Sequence, residues 1–281
     1  MPELFPNFMA FAQEFCNLHN NGFGMNYNGA SNVSKLHSIL CSTVMIRRKK
    51  EDVLKELPEK VLSYVPMELN NRSEYKEAEK SFIAYVRMTK GDEAAKRIAK
   101  IEALAKVEGL KQIAVKGKLD EVISWTKDFF ETNDKLVLFA IHKFVVDGLM
   151  EEFKSFAVKV DGSVSQIQRQ KAVDEFQTNP NIKLIVISEA GAEGITLTAA
   201  SNIGIVELPW TPSKLSQVIA RLDRMGQKFN VTAYFLLAQN TIEEKIAKLL
   251  DAKKKTVDAV TDGIDTPNEN LLSELFKQYE Q

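Results

Sequence analysis

Cysteine is almost missing from this sequence, with only Cys16 and Cys41 among 281 residues. Two are too few for a disulfide framework and suit free thiols in a reducing compartment. Long apolar runs are missing as well: nowhere do about 18 apolar residues follow one another, as a membrane-spanning helix requires. The start, MPELFPNF, carries an acid and no basic segment, so no secretory signal is expected and the chain reads as intracellular. Net charge is nearly absent too. Lys and Arg number 37 against 38 Asp and Glu, a formal charge of −1, which argues against holding nucleic acid by bulk charge alone. What is present, 44% hydrophobic and 27% charged residues, is the composition of an ordinary folded protein with ample core material.

The charge is unevenly placed. Between Arg87 and Lys118 nine basic residues face four acidic ones, whereas residues 261–281 hold five acidic and one basic. A basic arm and an acidic tail are expected. Residues 1–34 show no sustained period, and NNGFGMNYNGASN reads as a loop rich in turn residues. From Lys35 to Leu57 the apolar positions Leu36, Ile39, Leu40, Val44 and Ile46 predict a helix that stops at Pro58 and includes the basic run Arg47 to Lys50. An extended crossing, VLSYVPMEL, follows.

Residues 71–131 read as helical, with Ile98, Ile101, Ala105 and Ile113 on one face and Lys96, Lys100, Lys106 and Lys111 on others. The stretch is either a DNA-facing protrusion or a solvated helical face. After Asp134 the texture becomes KLVLFA, AVKV, IKLIVIS, NIGIVEL and VTAYFLLA, apolar strands alternating with amphipathic helices. Five strands with helical crossovers predict an α/β fold with a parallel sheet, whose functional loops lie at the strands' carboxyl ends. Three such loops stand out: Phe139 to Lys143, Asp161 to Ser165 and Ser188 to Thr196. A helix, TIEEKIAKLLDAKKKTVDAV, is expected to pack back on the body before the acidic tail.

The most informative stretch is QVIARLDRMGQ, where Gln217, Arg221 and Arg224 recur at helical spacing. On a helix Arg221 and Arg224 share a face. Two guanidiniums on one face can give bidentate donors to a polyphosphate and neutralise charge that develops in phosphoryl transfer, as an arginine finger does. Taken alone, the same helix also fits two solvated surface arginines.

In context, SEAGAEGITLTAASNIGIVELPWTPSKLSQVIARLDRMGQ resembles motifs V and VI of the Swi/Snf family of DNA-dependent ATPases. KLVLFAIHKFVVDGL resembles motif IV, VDGSVSQIQRQKAVDEF the Asp-Gly-Ser segment with its following arginine, and MIRRKKEDVLKELPEK the end of the family's first lobe. FAIHK, FPNF and FCN are similar to the HepA-related annealing-helicase branch. The resemblance implies a RecA-like second helicase lobe at 61–281, with 71–131 a largely helical insertion and 241–281 a closing helix and tail. Residues 1–60 would be the tail of the first lobe and a brace between lobes.

By the same resemblance Arg221 and Arg224 would reach nucleotide phosphates bound on the other lobe, and Gln217 would help hold the cleft between lobes. Gly191, Gly194 and Thr196 would lie at the ATP, with Thr196 standing where the family usually has Asn. His142, Lys143, Gly162, Ser163 and Ser188 would track one strand's phosphates on double-stranded or branched DNA. As readings of the residues alone, His142 also fits a satisfied strand-end histidine and Ser163 a helix cap, while Trp210 is expected to be a packed core aromatic. Glu189 and Glu193 depart from the family pattern. Carboxylates beside phosphates would repel, so they are expected to point away or to pair with a cation.

A complete ATPase needs a glycine-rich loop ending in Gly-Lys-Ser/Thr and an apolar strand ending in acids that hold Mg2+. Gly117-Lys118 and Asp92-Glu93-Ala94-Ala95 only mimic them, on helical segments. ATP and Mg2+ are therefore expected mainly on the other lobe, and the chain is expected to be inert alone. Cys16, His19, His37 and Cys41 have spacings that a zinc site could use, but the long loop between them disfavours it and no metal ligand is assigned. The expected setting is DNA-associated, in a prokaryotic or virus-infected cytoplasm or in a nucleus, without a membrane. The alternatives are a non-catalytic α/β DNA-binding or regulatory module, and part of a strand-separating helicase.

Overall fold

The computed structural model describes residues 4–20, 24–27, 29–46, 60–88, 93–132 and 135–251. The basic run Arg47 to Lys50, the stop at Pro58 and the acidic tail lie outside the described residues. The described residues fall into two compact units, one within Met1–Lys49, Ser81–Lys106 and Lys245–Gln281, the other within Lys50–Lys80 and Val107–Glu244. No helix among the described residues is long and apolar enough to cross a membrane.

The first unit opens with α1 (Phe8–Phe15), where a loop was expected. Its signal is local: the Asn7 side chain accepts from the Ala10 amide at 2.8 Å, an N-cap in front of the apolar FMAF. A short antiparallel pair, β1 (His19–Asn20) and β2 (Met25–Asn26), leads to α2 (Val33–Thr43). The predicted helix over Lys35 to Leu57 thus ends at Thr43, well before Pro58. Ser31 Oγ and Asn32 Nδ2 both donate to the Glu14 carbonyl at 2.8 Å, which ties the start of α2 to the end of α1.

β3 (Lys60–Met67) is followed by α3 (Arg72–Met88) and α4 (Glu93–Thr132), which bears out the helical reading of this stretch. The faces of α4 differ from expectation, because Lys111 and Lys118 are buried while Ala105 is exposed. Both buried cations have partners. Lys118 Nζ donates to the Leu236 carbonyl at 2.5 Å and to Glu243 Oε2 at 2.6 Å, as a charge taken out of water must be satisfied.

The remaining elements alternate: β4 (Leu136–Phe139), α5 (Lys143–Phe153), β5 (Ala157–Val160), α6 (Gln166–Thr178), β6 (Leu184–Ile187), β7 (Asn202–Ile205), α7 (Pro212–Ile219) and β8 (Val231–Ala238). A further helix covers 242–251. Six strands, not five, form one parallel sheet in the order β3-β8-β7-β4-β6-β5. The extra strand is the expected crossing VLSYVPMEL, paired with β8 from Lys60 to Met67. Pro66 obscures it in the sequence, yet β3 is an edge strand, where a missing amide is tolerated.

Every residue of β4 and β6 is buried, as a parallel sheet covered on both faces requires. One core joins Leu136, Leu138, Leu184, Val186 and Leu236 of the sheet to Val115, Val122 and Phe129 of α4 and to Val145, Val146, Leu149 and Phe153 of α5. Each such side chain contributes roughly 1.5–3 kcal/mol by leaving water. Because the strands are parallel, the loops after β4, β5, β6 and β7 all emerge on one edge.

Candidate functional site

On that edge the loops after β4, β5 and β6 enclose a cleft of about 350 Å³, lined by Ile141, Lys143, Val146, Asp161, Gly162, Ser163, Ser188, Glu189 and Ala190. Four residues expected at DNA, Lys143, Gly162, Ser163 and Ser188, thus meet in one place. Asp161 organises the middle loop. Its Oδ1 accepts from the Ser163 amide at 2.8 Å and hydroxyl at 2.5 Å, and its Oδ2 lies 3.1 Å from Lys159 Nζ. Burial works to raise the Asp161 pKa, but the Ser163 hydrogen bonds and Lys159 outweigh it and hold the carboxyl below its usual range. Ser163 is therefore an Asx-turn residue and not a helix cap; α6 is capped by Ser165, in a reciprocal box with Gln168.

Ser188 sits at the end of β6, where its Oγ accepts from the Gly191 amide at 3.2 Å. Gly191 passes so close to the Val160 carbonyl that a Cβ would stand 1.8 Å from its oxygen, so no side chain fits. Gly194 serves differently: it has open space around it but a φ of +75°, which favours glycine. Glu189 and Glu193 both approach Lys214 Nζ, at 3.5 and 3.3 Å, so these two departures pair with a cation as expected.

His142 is not poised as an open phosphate ligand. Its Nε2 lies 3.0 Å from Glu108 Oε1, and its Nδ1 meets Glu207 Oε1. Glu207 Oε2 also accepts the amides of Ile141 at 2.7 Å and His142 at 2.9 Å. The hydrogen bonds to Glu108 and then Glu207 outweigh burial and raise the His142 pKa to about 9. Burial alone would raise Glu207, yet the His142 ring, its charge and the two amides lower it. Glu108 is lowered chiefly by its hydrogen bond from His142. Lys111, 3.7 Å from Glu108, lies over the half-buried Trp210 ring, 4.4 Å from its centroid. Trp210 is thus packed under a cation.

The arginines depart most from expectation. The helix ends at Ile219 and residues 220–226 run in turns, so Arg221 and Arg224 share no helix face. They are brought together by the chain after β6 instead. The Leu197 amide donates to the Arg221 carbonyl at 2.9 Å, and Arg224 Nη1 donates to Thr196 Oγ1 at 2.9 Å. Arg221 Nε is buried with no hydrogen-bond partner among the described residues. Burial and the neighbouring charge of Arg224 lower the Arg221 pKa, against the pull of Glu193.

Sequence reasoning missed what holds this turn. Gln227 Nε2 donates to the carbonyls of Ala200 at 2.8 Å and Leu222 at 3.2 Å, while its oxygen accepts the amides of Lys228 and Phe229. Asp223, buried between the arginines, lies 3.0 Å from Lys60 Nζ on β3. Gln217 is exposed on α7. Among the described residues no group of three or more His, Cys, Asp or Glu gathers to hold a metal. Cys41 Sγ lies 3.4 Å from His37 Nε2, without Cys16 or His19 joining them.

Residues 114–226 match the family described as helicase conserved C-terminal domain. The chain is 30% identical over 276 residues to the DNA annealing helicase and endonuclease ZRANB3 of Mus musculus, across 93% of this chain and 25% of that protein. It therefore spans about a quarter of the length of that relative. The fold is shared with the C-terminal part of the Fun30 ATPase domain, with a TM-score of 0.60 at 19% identity over 80% of this chain and 99% of that one. The Sulfolobus solfataricus SWI2/SNF2 ATPase core in complex with dsDNA is 25% identical, with a TM-score of 0.58 over 94% of this chain and 58% of that one. With motifs IV, V and VI in order on one RecA-like sheet, residues 114–226 carry a helicase conserved C-terminal domain, and nearly the whole chain is similar to Swi/Snf-type ATPases and annealing helicases.

Proposed function

We propose that this chain is the second motor lobe of an ATP-dependent double-stranded DNA translocase or remodeller, acting on duplex or branched DNA inside a cell. Residues 1–60 would belong to the tail of a first lobe and a brace, and 61–281 to the second lobe. The carrying observation is Arg221: a partly buried guanidinium whose Nε lacks any acceptor, set beside a second guanidinium. Glu193 pulls on Arg221 only at a distance, so the two cations still offer an unfilled N–H donor that a phosphate oxygen suits. Gly191, Gly194 and Thr196 form the adjoining chain, with Thr196 accepting from Arg224. Gln217, exposed one turn before these arginines, would face the other lobe.

An orphaned guanidinium N–H fits a nucleotide phosphate. Mg2+ finds no comparable set here, because Glu189 and Glu193 already pair with Lys214, so its ligands are assigned to the first lobe. Bound ATP supplies the phosphoryl group whose transfer to water drives movement. The arginines' part is to neutralise charge on that group and to report its loss by lobe opening. At the cleft, Lys143 adds charge and Gly162 and Ser188 add small donors, which suit sequence-independent contact with a DNA backbone, while Ser163, both of whose donors go to Asp161, shapes the loop between them. The similar Sulfolobus solfataricus ATPase core, solved in complex with dsDNA, supports a duplex over a single strand.

The test is reconstitution. This chain alone should release no phosphate from ATP with or without duplex DNA, and should do so with DNA once mixed with a separately produced first lobe. Folded, DNA-binding components that stay inert in every mixture would favour the non-catalytic module.

A further inference from the structure

We propose that His142 is a positioning residue of the cleft and not a phosphate ligand: clamped between Glu207 and Glu108, it fixes the β4–α5 loop so that Ile141 and Lys143 keep their places on the cleft wall. The inference rests on reading that cleft as the DNA-backbone site.

The geometry leaves the ring no free nitrogen, since Nε2 faces Glu108 Oε1 at 3.0 Å and Nδ1 faces Glu207 Oε1. Two carboxylate acceptors demand two N–H donors, so the ring is an imidazolium. Glu207 does a second job, because its other oxygen accepts the Ile141 and His142 amides at 2.7 and 2.9 Å. Those amides precede α5, whose N-cap has no side-chain capping bond of its own. Glu207, reaching over from the loop after β7, thus anchors the two amides that lead into α5 and places negative charge near its positive end. Its side chain is only 2% exposed, so it tolerates this place only while the imidazolium compensates it.

The charged groups around the ring are Glu207 from the β7 loop, Glu108 and Lys111 from α4, and Lys143 next in sequence; the Phe144 ring lies 5.6 Å away. If the proton leaves, a neutral ring must turn a lone pair toward a carboxylate, and Glu207 loses its counterion. The loop that carries Lys143 is then freed. Deprotonation is expected near pH 9.

The experiment measures duplex-DNA affinity of this chain by fluorescence anisotropy for wild type, His142→Gln, Glu207→Gln and Lys143→Ala. His142 protonation is followed by imidazole NMR in parallel. The sequence has three histidines, so the signal lost in His142→Gln identifies the site. Expected at pH 7 is a roughly tenfold weakening in both His142→Gln and Glu207→Gln, the size of losing one charge-assisted hydrogen bond. Wild-type affinity should fall from pH 7.5 to 9.5 with the NMR midpoint. That midpoint should drop in Glu207→Gln.

The sign of the Glu207→Gln effect separates the alternatives, because merely removing a carboxylate near DNA would tighten binding. Weakening in His142→Gln with tightening in Glu207→Gln would make His142 a direct ligand and overturn the inference. So would unchanged affinity in both while Lys143→Ala weakens binding. If Lys143→Ala also has no effect, the reading of the cleft itself fails.

Discussion

At the scale of single residues, two positions yield stability predictions. Gly191→Ala should lower unfolding free energy by about 1–3 kcal/mol, the usual penalty of overpacking, because its Cβ meets the Val160 oxygen; urea unfolding checks it. His142 gives a pH dependence. Its folded pKa, about 9, lies above the ordinary 6.5, so its contribution is fully present below 6.5 and is lost as pH rises through 9. Glu108 and Glu207 are lowered, so theirs is present above the ordinary 4.5 and is lost as pH falls. Wild type should therefore lose up to about 3 kcal/mol between pH 6.5 and 9 relative to His142→Gln. Equal slopes for the two proteins would contradict the clamp. The sequence showed part of this. His142 and Lys143 stood out as residues on a strand-end loop, but their partners lie far along the chain. Glu207 had a signal, a lone acid inside the apolar IGIVELPW, which has to be paired when buried. Nothing local told that Glu108 on a basic helix would meet the same ring.

At the scale of elements, α4 is held to the end of β8 by Lys118 and Glu243, both almost wholly buried. Lys118→Met should destabilise by about 3–5 kcal/mol, as breaking a buried pair leaves an uncompensated charge. Adding Glu243→Gln should recover part of that, and thermal or urea unfolding of the double mutant cycle measures it. In α6 the Ser165 cap predicts a loss of about 1 kcal/mol for Ser165→Ala. Helices and strands with a clear period were legible, including all five strands from β4 to β8. Elements hidden by local chemistry were not: Pro66 masked β3, and α1 has only eight residues. QVIARLDRMGQ keeps a helical period past Ile219, but the chain leaves the helix there. Gln227 and Asp223 then fix the turn through partners remote in sequence, which periodicity cannot register.

At the scale of the whole molecule, two separate places on the sheet carry groups suited to phosphates. The cleft of Lys143, Gly162, Ser163 and Ser188 lies on the loops after β4 to β6, and the arginine turn is tied through Thr196 and Leu197 to the chain after β6. The segment after β6, which lines the cleft at Ser188 to Ala190 and bonds the arginine turn at Thr196 and Leu197, suits a lobe that couples nucleotide state to the DNA backbone. Only part of that account stood in the sequence alone: motif order pointed to it, while the orphaned Arg221 Nε emerges from the fold. The most direct measurement is single-turnover ATP hydrolysis with duplex DNA by this chain mixed with a first lobe, comparing wild type, Arg221→Ala and Arg224→Ala. Each arginine variant should slow hydrolysis by on the order of 10³-fold while duplex affinity stays unchanged. Hydrolysis that survives either substitution, or a loss matched by equal loss of DNA binding, would contradict the assignment of these arginines to the nucleotide.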